Sequence, residues 1–153
     1  MRYFSGKDKK QLIQNLDFNY ALDKKDEIIE FKNILFKNKN HFLIKTSNLK
    51  HEITRDYIPH LKSNEVKELR KITIDTGAVP FLLKGVDMMR PGIVAIENGI
   101  EQDEVISIVD EVKGLIIGVG LAMYNFQEME EMNTGKVIQT LHFFKDEYYT
   151  IDL

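Results

Sequence analysis

The chain has 153 residues, 43% of them hydrophobic and 29% charged, with no cysteine and a formal net charge of −3 at pH 7. That length holds one ordinary domain or two small ones that share an interface, and the balance of apolar and charged residues excludes disordered, collagenous and coiled-coil classes. Without cysteine there is no disulfide scaffold, no thiol nucleophile and no cysteine-ligated zinc or iron–sulfur site.

The modest net charge hides an asymmetry. Residues 1–70 carry 15 Lys and Arg against 10 Asp and Glu, a balance of +5, whereas residues 71–153 carry 6 against 14, a balance of −8. A basic half is drawn to a phosphate backbone, and an acidic half is repelled unless its few cations gather on one surface. The same counts also suit plain solubilising charge. The stretch "MRYFSGKDKKQL" lacks the apolar run of a signal peptide, and no segment reaches the roughly 20 apolar residues that span a bilayer. A cytoplasmic protein in a reducing compartment is the expectation.

Ser5, Asp8 and the apolar spacing Leu12, Ile13, Leu16 predict a capped amphipathic helix ending near Asp17 to Asn19. "EIIEFKN" and "ILFKNKNHFLIKT" are short apolar runs with "KNKN" between them, and asparagine tolerates the left-handed conformation of a tight hairpin. A small sheet is expected here. In "TRDYIPHLKSNEVKELRK", Pro59 holds Ile58 extended and "SNEVKELR" reads as a short helical turn, so this stretch is assigned to a linker or interdomain segment. From Lys71 onward "KITID" and "PGIVAIE" read as strands around a helical run that Gly85 can stop. "EVISIVDEV" and "LIIGVGLAMY" read as two more strands joined by "KG". Asn125 caps a helix in "NFQEMEEMNTG" that ends before Gly135, and "KVIQTLHFFKDEYYTI" reads as a closing hairpin turning at "KD". Six or so short strands in about 80 residues point to a small mixed barrel. The expected fold class is α+β, with an N-terminal α+β domain at 1–70 and a mixed β pseudobarrel at 71–153.

Recognisable catalytic chemistry is scarce. His41, His51, His60 and His142 stand nine or more residues apart, so no two share a helix face for a metal, and structural or surface roles are expected. "GVGLAM" at 118–123 lacks the third glycine of a dinucleotide fingerprint and lies inside an apolar strand, where glycine instead permits close approach of a neighbouring backbone or ligand, or relieves crowding in a tight barrel. Glu101, Asp103 and Glu104, like Glu128, Glu130 and Glu131, sit in polar turn or helix settings and read as solvated acidic faces. Met88, Met89, Met123, Met129 and Met132 read as core filler more than as a soft binding surface. No metal and no cofactor are expected.

The stretch 75–96, "DTGAVPFLLKGVDMMRPGIVAI", holds three glycines and two prolines but only two basic side chains. Its arrangement resembles the signature of the PUA domain, an RNA-binding module found with pseudouridine synthases and archaeosine transglycosylases. The resemblance continues through "DEV" at 103–105, "GVGLA" and "TGK" at 134–136, and so covers residues 72–152. It departs at Gln102, where the family often has glycine before the aspartate. An N-terminal segment of about 70 residues joined to one such domain is similar to archaeal relatives of the malignant T-cell amplified sequence family. That resemblance implies a pseudobarrel packed on a small α+β domain, with no catalytic apparatus. It implies binding of tRNA or the small ribosomal subunit in initiation or recycling, and a partner carrying an initiation-factor-one-like domain. The expected protein is a monomer and not an enzyme.

Physically, a helix beginning at Gly77 would offer free amides and a partial positive charge to phosphate oxygens. Lys84 and Arg90 would add cations, and Met89 and Pro91 an apolar surface for an unstacked base. The candidate RNA-binding residues are therefore Gly77, Ala78, Lys84, Met89, Arg90, Pro91, Gly92 and Lys136. The alternative role for the glycines and Pro91 is to shape tight turns. Alternatives to an RNA-binding protein of translation are a module that docks on a basic translation or modification factor, suggested by the −8 balance, and an RNA-modifying enzyme, for which the chain lacks the usual catalytic domain.

Overall fold

The computed structural model describes residues 1–16 and 22–153. β1 (Arg2–Tyr3) leads to α1 (Gly6–Asn15). Ser5 Oγ accepts the Asp8 amide at 3.1 Å and the Asp8 carboxylate accepts the Ser5 amide at 2.8 Å, a reciprocal capping box that satisfies two otherwise orphaned donors. α1 buries Leu12 against Ile28, Leu35, Phe42 and Leu43, while Ile13 stays exposed. The helix end expected at Asp17 to Asn19 lies outside the described residues. Ser5→Ala removes one half of the box and is expected to cost about 1 kcal/mol, read as a lower midpoint in urea melts followed by circular dichroism.

Four further strands complete the first sheet: β2 (Ile28–Phe31), β3 (Ile34–Lys37), β4 (Asn40–Lys45) and β5 (Tyr57–Pro59), antiparallel in the order β1-β2-β3-β4-β5. The hairpin expected at "KNKN" is present, with Asn38 and Lys39 both at positive φ. Lys32 and Asn33 form a second turn of the same kind between β2 and β3. Two consecutive left-handed residues twist in the sense that paired strands need.

The second sheet contains β6 (Lys71–Ile74), β7 (Met88–Met89), β8 (Ile93–Ile96), β9 (Val105–Asp110), β10 (Ile116–Ala122) and β11 (Lys136–Phe143). α2 (Val79–Leu82) follows β6, α3 (Phe126–Glu131) follows β10 and α4 (Glu147–Thr150) follows β11. The order is β7-β11-β10-β9-β6-β8, with β6 and β9 parallel and every other pair antiparallel. Its outermost strands, β7 and β8, are separated in sequence only by the 3-10 turn Arg90–Gly92. Three residues cannot cross an open six-stranded sheet, because strands lie about 4.8 Å apart. The sheet therefore curls until its edges nearly meet, which is the expected pseudobarrel.

Alternation along the strands divides the core. On β10, Val119 and Leu121 face the first sheet, whereas Gly118, Gly120 and Ala122 face the barrel interior with Ile108 and Ile138. β9 and β10 are largely buried on both faces, which explains why their sequences are mostly apolar. The shared layer joins Ile29, Phe36, Ile44 and Ile58 to Val105, Val119, Leu121 and Leu141.

Two expectations are corrected here. Residues 54–71 are not a linker: β5 pairs with β4, Val66 and Leu69 lie in the shared layer, and Ser107 Oγ donates to the Val66 carbonyl at 2.6 Å. Burial of these apolar positions gives the segment a place in the core. Nor does the chain close on a hairpin. Lys145 turns it at φ 65°, and Asp146 then caps α4 by accepting the Tyr149 amide at 2.9 Å, so β11 is the last strand.

Candidate nucleic-acid interface

The loop after β6 is held down by Asp75 and by Glu111 from the turn after β9. The Asp75 amide bonds to the Gly92 carbonyl at 2.9 Å, and Asp75 Oδ1 accepts the Ala78 amide at 2.8 Å. The Thr76 amide donates to Glu111 at 3.2 Å. α2 thus begins at Val79, two residues later than expected, and the Ala78 amide is satisfied by a carboxylate. Amide capture of phosphate at that point is corrected accordingly, since the site already holds a negative group.

The loop and the closing turn instead enclose an apolar groove of about 510 Å³, lined chiefly by Gly77, Ala78, Phe81, Val86, Met89 and Pro91, with Gly92 at its base. Phe81 is 56% exposed and Met89 46%. A Cβ on Gly92 would stand 3.1 Å from that of Ala78, so small residues at both positions let loop and turn approach closely. Asp75 and Asp87 are the charged side chains of the lining. Asp87 accepts His51 Nε2 at 2.9 Å and the Thr140 amide at 3.0 Å, and Lys136 Nζ lies 3.8 Å from its other oxygen.

Five of the candidate residues, Gly77, Ala78, Met89, Pro91 and Gly92, therefore meet in one groove, and Lys136 borders it opposite Met89 on the paired strand. The other two do not join them. Arg90 points inward: Nε donates to the Met129 carbonyl at 2.6 Å and Nη1 to that of Ile93 at 3.3 Å, which ties the barrel-closing turn to α3. Lys84 lines a different cleft, beside the first sheet.

Sequence spacing missed one cluster. His41, His60 and His142 lie in a row at the seam of the two sheets, their rings tilted and the centroids 4.5 and 4.9 Å apart. His60 Nε2 donates to the Tyr148 carbonyl at 3.0 Å, and Nδ1 accepts the Lys62 amide at 3.0 Å. His142 Nε2 accepts the Leu61 amide at 3.1 Å, and Nδ1 donates to Asp146 at 2.7 Å. His60 thus accepts a backbone N–H through Nδ1, which favours its neutral form. Burial, and then the neighbouring His142, push the His60 pKa down to about 3. No local motif announces the cluster, because its members come from β4, the end of β5 and β11.

Among the described residues no group of three or more His, Asp or Glu is placed to hold a metal ion. The acids singled out above include structural ones: Glu128 completes the capping box of α3, and Glu104 pairs with Arg70 at 2.8 Å. In the turn containing Gln102, the left-handed residue is Asp103.

A barrel closed by such a turn, with a glycine-lined groove beside it, defines a PUA-type module, and the profile of the PUA domain matches residues 70–144. The chain belongs to the PUA-domain family. It is 32% identical over 152 residues to Uncharacterized protein MJ1432 of Methanocaldococcus jannaschii, covering 85% of this chain and 94% of that one. Translation machinery-associated protein 20 of Schizosaccharomyces pombe is 32% identical over 80 residues, 50% of this chain and 44% of that protein. The crystal structure of hypothetical protein PH0734.1 from Pyrococcus horikoshii superposes with a TM-score of 0.75 at 27% identity, covering 99% of both chains. A chain of an H/ACA ribonucleoprotein bound to a substrate RNA superposes with a TM-score of 0.51 at 28% identity, over 61% of this chain and 29% of that one.

Proposed function

We propose that this protein is a non-enzymatic RNA-binding protein of the translation apparatus, with residues 1–70 and 71–153 as its two domains. The observation that carries the reading is the exposed apolar groove between the loop after β6 and the barrel-closing turn, on a domain whose relatives include a translation-associated protein and a protein of an RNA-bound complex. The groove suits the unpaired end of a tRNA or a splayed base of ribosomal RNA: Phe81 and Met89 offer flat apolar surface for stacking, and Lys136 supplies a rim cation for phosphate. The step served is initiation or recycling on the small ribosomal subunit, alongside a protein with an initiation-factor-one-like domain.

Stacking on an exposed ring contributes about 1–3 kcal/mol per base. Phe81→Ala with Met89→Ala is therefore expected to weaken tRNA binding by roughly tenfold or more, measured by fluorescence anisotropy, without lowering the melting temperature. Unchanged affinity in this variant contradicts the placement of the site. A second reading has its own support: Asp75 and Asp87 in an otherwise apolar groove suit a basic peptide. Retention of the same proteins in pull-downs after ribonuclease treatment favours that reading.

A further inference from the structure

Lys84 belongs to a cleft that the groove does not use. This cleft, of about 470 Å³, opens at the seam of the two halves, and three lysines from three separate segments line it: Lys50 from the loop before β5, Lys84 from the turn after α2, and Lys145 from the turn before α4. All three are exposed, and among the described residues none has an ion-pair partner. Two acids share the cleft. Asp146 is buried and already accepts from His142 and from the amides of Phe143 and Tyr149, whereas Glu147 stays exposed. The lysines therefore outnumber the acids here, while the groove lining holds two acids and no cation. α2 and residues 83–87 form the wall between the two depressions, with Phe81 and Val86 on the groove side and Lys84 and Gly85 on the cleft side.

We propose that the seam cleft is a phosphate-binding site for RNA, in which Lys50, Lys84 and Lys145 hold the backbone of the strand whose unpaired bases enter the groove. This rests on the RNA-binding reading above and divides its labour. Bases go to the apolar side of α2, where the charged lining groups are two carboxylates that repel phosphate. Backbone goes to the cationic side. The site is complete only when both halves are docked, because Lys50 comes from the first and the other two lysines from the second. Lys50 gives one cation of the basic residues 1–70 a specific use at the seam.

The test uses the full chain with total tRNA and with a short single-stranded RNA, titrated at several salt concentrations. Each lysine–phosphate contact on a single strand contributes about −0.7 to the slope of log K against log salt. The triple variant Lys50→Gln, Lys84→Gln, Lys145→Gln is expected to flatten the slope by roughly 2 and to weaken binding on the order of 100-fold at about 0.1 M salt. A charge-matched variant at exposed lysines elsewhere, Lys7→Gln, Lys10→Gln, Lys113→Gln, is expected to change the slope by much less. Equal slopes in the triple variant and the wild type, or equal losses in the two triple variants, overturn the seam site. If Phe81→Ala with Met89→Ala still weakens binding in that case, the groove reading survives alone. Absence of RNA binding by the wild type overturns both.

Discussion

Gly120→Ala is expected to destabilise the protein by roughly 3 kcal/mol, near the upper end of what overpacking costs. An added Cβ would lie 2.4 Å from Ile138 Cγ2 and 2.9 Å from the Gln139 carbonyl oxygen. The first neighbour is a side chain branched at its own backbone, and the second is backbone, so neither swings away as a long flexible side chain would. Relief requires β10 and β11 to separate where their register already shifts, between Val119 and Gly120. For a chain of this size the loss corresponds to a fall in melting temperature of roughly 6–12 °C, read by differential scanning calorimetry. Gly118→Ala is a milder comparison, since its Cβ would meet only side-chain methyls of Ile108 and Leu82, at 3.3 Å. A melting temperature for Gly120→Ala within about 2 °C of the wild type contradicts the crowding derived for this strand.

Acid is expected to unfold the protein through the histidine row. His60 is neutral in the folded protein down to about pH 3, whereas in the unfolded chain it takes up a proton near its ordinary value of 6.5. Between those limits the unfolded state binds more protons, so stability falls as pH drops from 6.5 towards 3. The slope approaches 1.4 kcal/mol per pH unit once the unfolded histidine is charged. Asp146 adds a second loss at lower pH. Burial raises its pKa, but the hydrogen bonds from His142 and from the amides of Phe143 and Tyr149 outweigh that, and the net shift is downward from the ordinary carboxylate value. Its stabilisation is therefore present above the unfolded value and vanishes as pH falls through the lower, folded one. Urea melts at pH 7, 6, 5 and 4 measure the effect. His60→Gln, which keeps a donor for the Tyr148 carbonyl without titrating in this range, is expected to be less stable at pH 7 and to lose most of the slope between pH 6 and 4. The same slope in both proteins contradicts the assignment. Because His60 and His142 join residues 60–62 to the end of β11 and to α4, acid loosens the seam that carries Lys50 and Lys145.

The groove and the seam also change which substitutions are informative. Arg90→Glu looks from sequence like a clean removal of an RNA cation, yet Arg90 holds the barrel-closing turn to the Met129 and Ile93 carbonyls. Reversing its charge would disturb the fold before it tested binding. Lys84 remains informative, in company with Lys50 and Lys145 rather than with Gly77 and Pro91.

What the sequence determined by itself are features written over a few adjacent residues. The capping boxes at Ser5 and Asn125, the left-handed turn at Asn38–Lys39, the stop at Gly85 and five of the six strands after residue 70, all but β7, follow from turn chemistry and side-chain period. The ordered motifs from Asp75 to Lys136 carried the resemblance to the PUA family, which is why the barrel and the surroundings of its groove were legible. Only the tertiary structure decided where the remaining side chains point. Closing the barrel turns Arg90 inward, and the two faces of α2 separate Lys84 from Phe81. Docking the first sheet draws three distant histidines into one row and makes core of the expected linker. These outcomes depend on contacts between residues tens of positions apart, and no local pattern encodes which distant surface a side chain meets.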